Sequence, residues 1–424
     1  MPLSLPPAGM ARALSERFPS DARAVEQFFQ EMKAVLSPSS HPNTEPDSLA
    51  PAGFQGSSAS AYLTRHIRDW RLRRILGSMG TREPYSGLPL LAAMWNLMTG
   101  EGIWYPESGL KVFSERLANR VTGRSDPERT ADAHGVIRLG TESTNIRVEK
   151  GKVAGVTLRD GSRIEASAVI SNADYKTTFL TLLDRKEIPP RWFHAVDQAK
   201  QTGSILQVCL GVDKSQVDLS SFDEASRLIY RSREDAPFTE GVEWNQVEID
   251  PGPLAKEEME ISLWSKEDGL LAPEGGAVVV IRTEAEYSHF VRFRLGWRKR
   301  APGYEAYKVR LARALVKEAE NLLPGLEGSV LVMDVATPLT FQDQGGRSGG
   351  AVAGWSWNYE DAQDETPKEL IRTPIQGLYM AGYQAFSALF MGGVPTAMES
   401  GRRAAQAVLK RADPIEKISI PGTK

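Results

Sequence analysis

GLYMAGYQAFSALFMGGVPTAMESGRRAAQAVL, Gly377 to Leu409, decides the fold, because a short apolar strand, a glycine-rich turn and a helix follow one another directly. Gly377-Leu378-Tyr379-Met380-Ala381-Gly382 supplies the strand. Gly392-Gly393-Val394-Pro395 makes a tight bend, where glycine lets the backbone come close to a neighbour. Thr396 with Glu399 matches the T-x-x-E capping box that opens a helix. Ala397, Gly401, Ala404 and Val408 recur at helical spacing, giving a small-residue face that suits a sheet or a flat ligand. The helix start turns unshared N–H groups toward the bend, which favours an anion or an electron-rich ring edge there. Any αβ crossover of a doubly wound fold can show this succession, so the order of the blocks around it carries weight.

Upstream, Trp104-Tyr105-Pro106-Glu107-Ser108-Gly109-Leu110 precedes a helix expected to turn Leu110, Phe113, Leu117 and Val121 inward. Val136 to Ile170 reads as a β-meander: Thr144, Ile146 and Val148 alternate with Asn145, Arg147 and Glu149, and Lys150-Gly151 and Asp160-Gly161 turn the chain. The run Ala168-Val169-Ile170-Ser171-Asn172-Ala173-Asp174 follows. Ser204 to Val212, Ser226 to Arg231, Met259 to Trp264 and Ala277 to Arg282 are strands expected to form one antiparallel sheet. Tyr304 to Leu323 is a helix with Tyr307, Leu311, Leu315 and Leu322 inward, stopped by Pro324-Gly325, and Leu331 to Val335 is expected to return the chain to the first domain. Before all of these, residues 1–36 carry a broad apolar helical face through Ala24, Val25, Phe28, Phe29, Met32 and Val35. Ser37 to Ser60 reads as a loop, and Tyr62 to Met79 and Gly87 to Met98 as further helices.

In this order, the YPESGL, VISNAD and GGVPTAMESGRRAA blocks resemble the phytoene desaturase, carotenoid isomerase and retinol saturase family of FAD-dependent oxidoreductases. The resemblance implies an α/β (α+β) fold: an FAD/NAD(P)-binding doubly wound domain with a β-meander and an inserted antiparallel-sheet substrate domain. Expected boundaries are 1–100 for a helical part of the substrate domain, 101–180 for the first FAD-binding segment, 181–328 for the substrate domain and 329–424 for the C-terminal FAD-binding segment. Cofactor contacts implied by the resemblance are Thr144 and Ile146 on the adenine side through backbone, with Asn172, Gly382, Tyr383, Gly392, Gly393, Val394 and Thr396. The cofactor implied is FAD, and the substrate a carotenoid, retinoid or related isoprenoid lying in an apolar tunnel between the flavin ring and the second sheet. Thr337-Pro338-Leu339-Thr340-Phe341 and the glycine-rich run to Trp355 read either as the opposite wall or as a flexible surface loop, and Phe341, Trp355, Trp357 and Tyr359 either line a channel or fill a core.

Two departures weaken the implied grip on FAD. That family opens on a G-x-G-x-x-G fingerprint, and no such sequence occurs in these 424 residues. The chain therefore reads as N-terminally incomplete. Tyr383 also follows Gly382 where many relatives place an acidic residue. FAD is accordingly expected to bind weakly, or not at all, to this chain alone. The alternative reading is a flavin-free remnant that binds an apolar ligand or a partner chain, or one half of an enzyme completed by a separately encoded N-terminal fragment.

Composition excludes other classes. Fifty-one Lys plus Arg against 54 Asp plus Glu give a net charge of −3, so the whole molecule offers nucleic acid no attraction. The single cysteine, Cys209, cannot form an internal disulfide and fits a reducing compartment. There is no G-x-S-x-G, no H-E-x-x-H and no paired Cys/His spacing, which leaves a hydrolase triad and a zinc site unsupported, and no catalytic residue is assigned. No signal peptide or spanning segment is read, so the expected location is cytoplasmic. The basic stretch Arg65, Arg68, Arg71, Arg73 and Arg74 is either a solvated face or a patch on anionic lipid with Ile67, Trp70 and Ile75 dipping in, the latter making peripheral membrane contact.

Overall fold

The computed structural model describes residues 6–35, 59–78, 88–96, 99–100, 105–106, 109–123, 135–231, 248–356, 370–386 and 393–410. The loop expected over Ser37 to Ser60 falls almost wholly outside them, as do Gly392, Trp357 and Tyr359. Helix α1 (Pro7–Arg17) opens on proline, whose fixed φ and missing N–H suit a first turn. Apolar residues three and four apart on α2 (Ala22–Val35) put Val25, Phe28, Phe29 and Met32 into one core. Leu63 of α3 (Ala59–His66), Leu72 and Leu76 of α4 (Trp70–Ser78) and Trp95 of α5 (Leu88–Asn96) complete it. The single helix expected from Tyr62 is broken in two. Asp21, only 3 % exposed, accepts the amides of Arg68 and Asp69 at 2.9 and 3.0 Å, and this buried carboxylate holds the break between α3 and α4 open.

Helix α6 (Gly109–Thr122) departs from expectation. Its stripe was to face inward, yet Leu110, Leu117 and Val121 are 44, 46 and 50 % exposed, and the described residues place no cover over them. The meander forms as read: β1 (Ser143–Glu149), β2 (Lys152–Leu158) and β3 (Arg163–Glu165) make a three-stranded antiparallel sheet in that order. Lys150 and Gly151 join the first two with φ of 52° and 77°, the left-handed pair of a tight hairpin turn. β4 (Val169–Ser171), α7 (Tyr175–Leu180) and α8 (Pro190–Gln198) follow, with Tyr175, Phe179 and Trp192 packed into a second core.

The chain next builds a five-stranded sheet of β5 (Ile205–Asp213), β6 (Arg227–Tyr230), β7 (Met259–Leu263), β8 (Gly276–Glu284) and β11 (Val330–Ala336), in the order β11-β5-β8-β7-β6. Short helices α9 (Pro251–Ala255), α10 (Trp264–Glu267), α11 (Ser288–Val291) and α13 (Leu326–Ser329), and the hairpin β9 (Arg294–Gly296) with β10 (Lys299–Arg300), connect these strands and α12 (Tyr304–Ala319). Strict alternation along β5 sends Leu206, Val208, Leu210 and Val212 into a core shared with Tyr307, Leu311 and Leu315 of α12. Two expectations are corrected. The helix from Tyr304 ends at Ala319, before Leu322. Leu331 to Val335 does not return to the first domain but pairs antiparallel with β5 as an edge strand of this sheet. After α14 (Pro338–Gly345), the chain returns at β12 (Leu378–Met380), which pairs parallel with β4, and ends the described region with α15 (Tyr383–Phe386) and α16 (Val394–Lys410).

Candidate functional site

Parallel strands deliver loops and helix starts to one end, and ligands of α/β sheets lie outside those carboxyl ends. Here the carboxyl ends of β4 and β12 bring Asn172 and Gly382 together. Gly382 has φ +96°, and a Cβ added to it would stand 2.4 Å from Asn172 Oδ1, so any other residue here is strained and must push that amide aside. Its amide donates to Ser400 Oγ at 2.8 Å, and the same hydroxyl donates to the Ala397 carbonyl at 2.7 Å. This staple fixes the start of α16 beside the strand ends. At Gly393 and Gly401 an added Cβ would meet nothing within 4 Å, and Val394 and Met398 are 45 and 50 % exposed. The first turns of α16 thus present an open surface of small and apolar residues.

The helix itself is set differently from the expectation. It begins at Val394, so Thr396 and Glu399 lie inside its first turns and form no capping box; Glu399 binds Arg402 and Arg403 instead. The buried face is Thr396, Ser400, Ala404 and Ala407, rotated by one position from the face read in the sequence, which leaves Ala397, Gly401 and Val408 half-buried. Thr396 is buried and already engaged, so it is no spare donor. Ile146 is buried and its N–H donates to the Leu182 carbonyl at 2.7 Å, so that amide cannot serve a cofactor. Thr144 sits exposed on β1 with its hydroxyl donating to the Thr157 carbonyl at 3.3 Å.

Tyr383 opens α15 with its ring against Gly354, where an added Cβ would stand 2.7 Å from two ring carbons, and with the Arg347 guanidinium 5.7 Å from the ring centre. Burial pushes its hydroxyl up against the opposing pull of Arg347, so it remains protonated at neutral pH. The segment Thr337 to Trp355 is ordered rather than a loose loop: Thr337 and Thr340 form a capping box, and the Gly350 backbone sits so near the Pro338 carbonyl that an added Cβ would lie 2.3 Å from it. Trp355, 1 % exposed, fills the core against Tyr175 with ring centres 5.4 Å apart instead of lining a channel, and Phe341 is half-buried.

Three groups here were missed in the sequence. Asp174 caps α7 through the Thr177 amide at 3.0 Å and also accepts Ser348 Oγ at 2.6 Å and Gln201 Nε2 at 2.8 Å. Gln384 Oε1 accepts the Tyr175 amide at 2.9 Å, while its buried Nε2 has no hydrogen-bond partner among the described residues. The D-x-x-T spacing of Asp174 and Thr177 was a legible capping signal; nothing in the sequence marked Gln384 or Ser348.

The face of the five-stranded sheet turned away from α12 is mixed: Cys209, Val278, Val280 and Ile229 share it with Gln207, Arg282, Glu260 and Arg227. Arg282 Nε donates to Gln207 Oε1 at 2.8 Å, and Glu260 Oε1 lies 3.4 Å from Arg282 and 3.5 Å from Arg227. Of the basic stretch and its apolar neighbours, Ile67 is buried, Trp70 is 39 % exposed, Arg71 pairs with Asp69, and Arg74 binds Glu258 on the sheet unit. Burial pushes the Glu258 carboxyl up, against Arg74.

Fit to FAD, tested on these residues, differs between its two ends. The open surface before Gly393 and Gly401 suits a flat ring edge. At Ile146, which the resemblance alone implies on the adenine side, the amide is spent on the Leu182 carbonyl. Among the described residues, no group of three His, Cys, Asp or Glu side chains could hold a metal, and no helix is long and apolar enough to cross a membrane.

Known proteins place the chain. A prolycopene isomerase, chloroplastic, of Daucus carota is 28 % identical over 74 % of this chain and 46 % of its own length. A pyridine nucleotide-disulfide oxidoreductase domain-containing protein 2 of Rattus norvegicus is 25 % identical over 79 % of this chain and 56 % of its own. The chain thus spans about half the length of these curated relatives. An oxidoreductase from Methanosarcina mazei shares the fold, with a TM-score of 0.51 at 16 % identity, covering 89 % of this chain and 75 % of that one. Residues 4–250 match the model of the flavin containing amine oxidoreductases, and the chain belongs to that family.

Proposed function

We propose that this chain is the catalytic scaffold of an FAD-dependent oxidoreductase, a desaturase, saturase or isomerase, acting on a carotenoid, retinoid or related isoprenoid. The observation that carries the reading is the open, glycine-flanked start of α16 stapled to the carboxyl ends of β4 and β12. A flavin bound there supplies hydride or electron exchange with a carbon–carbon bond of the substrate. The chain's own residues orient and shield. Gly393 and Gly401 leave open the surface that would hold the ring, Gly382 lets the strand end approach Asn172, and the staple through Ser400 holds the helix start still. Val394 and Met398 offer the apolar contact that a polyene needs. The carotenoid or retinoid class is supported by the resemblance and by the name of the carrot relative. Titration of the purified protein with FAD is expected to give saturable quenching of flavin fluorescence; no saturable binding at high FAD concentration overturns the reading.

A second reading is favoured by one specific feature. The outer edge of β4 has no strand beside it among the described residues, and Ile170 on that strand is 45 % exposed. Such an edge presents unpaired N–H and C=O groups that another strand can take up. A separately encoded strand and helix carrying G-x-G-x-x-G would pair there and grip the nucleotide tail, making this chain one half of a split enzyme. FAD and FMN then bind the chain alone with equal, weak affinity, and adding such a fragment tightens FAD only. Tighter binding of FAD than FMN to the chain alone contradicts the split reading.

A further inference from the structure

We infer that the β9–β10 hairpin is the docking point of this protein on an anionic lipid surface. The sequence around it, RFRLGWRKR from Arg292 to Arg300, interleaves cations with large apolar residues. In the structure, Leu295 and Trp297 at the hairpin tip are 66 and 65 % exposed. The Trp297 indole N–H donates to the Asp343 carbonyl at 3.1 Å, so the polar edge of the ring is turned inward and, with Arg298 stacked over one face, an apolar face is left to solvent.

The tip is held rigidly. Asp343, whose side chain is 1 % exposed, accepts the Arg298 amide at 2.8 Å and pairs with Arg300 at 2.8 Å and Arg294 at 3.2 Å. Burial works against its charge, but the Arg298 amide and the two guanidiniums outweigh it and hold the carboxyl below the usual range. One buried carboxylate thus fixes a turn in which Arg298 takes a φ of 54° and its guanidinium stacks 4.5 Å from the Trp297 ring centre.

Charge selects the occupant. Arg294 and Arg300 are spent on Asp343, and Arg292 on Glu248 at 2.9 Å. Arg298 and Lys299 are exposed and have no carboxylate partner among the described residues. The chain as a whole carries −3, so attraction to a negative surface must be local, and this hairpin supplies it. Two exposed apolar side chains beside two cations without a carboxylate partner match the interfacial zone of a bilayer, where an amphipathic ring sits at headgroup depth and cations meet anionic lipid.

The test is sedimentation of the full chain with vesicles of phosphatidylcholine alone and of phosphatidylcholine with phosphatidylglycerol, at low and high salt. Binding to the anionic vesicles is expected, with Leu295→Ala/Trp297→Ala and Arg298→Gln/Lys299→Gln each weakening it about tenfold. Trp297→Phe, which keeps a ring, stays within about twofold. Trp70→Ala, on an exposed tryptophan elsewhere, leaves binding unchanged. Thermal midpoints confirm that each variant is folded. Failure of the wild type to sediment with anionic vesicles overturns the inference, as does sedimentation that the hairpin variants leave intact. So does loss of a dimer, rather than of vesicle binding, in those variants, since the hairpin is then an interface between copies. Vesicle binding needs neither flavin nor turnover, so its outcome is separate from that of the flavin experiment.

Discussion

Gly382→Ala probes the joint on which the site is built. Two costs add. At φ +96° an L side chain is strained by about 1–2 kcal/mol. The new methyl would also stand 2.4 Å from Asn172 Oδ1, and because Asn172 is exposed, its amide can swing aside at a cost of about 0.5–1 kcal/mol. The sum is about 2 kcal/mol, provided the amide keeps its bond to Ser400. Thermal unfolding followed by tryptophan fluorescence should show the transition lowered by about 4–8 °C. The double variant Asn172→Ala/Gly382→Ala should recover only the smaller part, because the backbone strain persists. A neutral Gly382→Ala, or full recovery in the double variant, would refute the reasoning that the backbone conformation dominates.

Gly401 makes the opposite case: it lies in the interior of α16 with open space where a Cβ would go, so Gly401→Ala should stabilise by about 0.5–1 kcal/mol, read as a raised thermal midpoint. Arg74→Ala leaves the buried Glu258 without this guanidinium and should cost about 3 kcal/mol, whereas Glu258→Gln should cost less because the side-chain amide still offers Arg74 an acceptor and Arg74 lies nearer to solvent; a denaturant series on both variants decides it. The Arg402 and then the Arg403 guanidinium hold the Glu399 carboxyl down at about 2, from an ordinary 4.5. A depressed carboxylate stabilises above its unfolded value and loses that contribution as pH falls, so a small acid slope between pH 4.5 and about 2 should be present in the wild type, absent in Glu399→Gln and diminished by salt.

Elements whose period and punctuation agree were legible: the meander with its Lys150-Gly151 turn, four strands of the large sheet, and the strand at Leu378. Where the reading failed, a distant partner overrode a local signal. Asp21 broke the helix after Ile67 through two backbone bonds that no local pattern announces. β11 joined β5 because its register complements that strand, which connection order alone does not specify. The face of α16 was misjudged by one position because the hydroxyl of Ser400, not a small apolar residue, makes the contact with the strand end. At the site, glycine spacing pointed to the right turn, whereas Gln384 and Ser348 entered only through hydrogen bonds to residues about 174 to 209 positions away.

The most direct measurement is equilibrium titration of the wild-type chain and of Gly401→Phe with FAD, followed by flavin fluorescence. The open surface at α16 predicts saturable binding to the wild type and its loss in the variant, with the variant's thermal midpoint undiminished, since the ring of phenylalanine fills space that the fold leaves empty. No saturable binding to the wild type, or binding that the phenylalanine leaves unchanged, would contradict the assignment of the flavin ring to this surface.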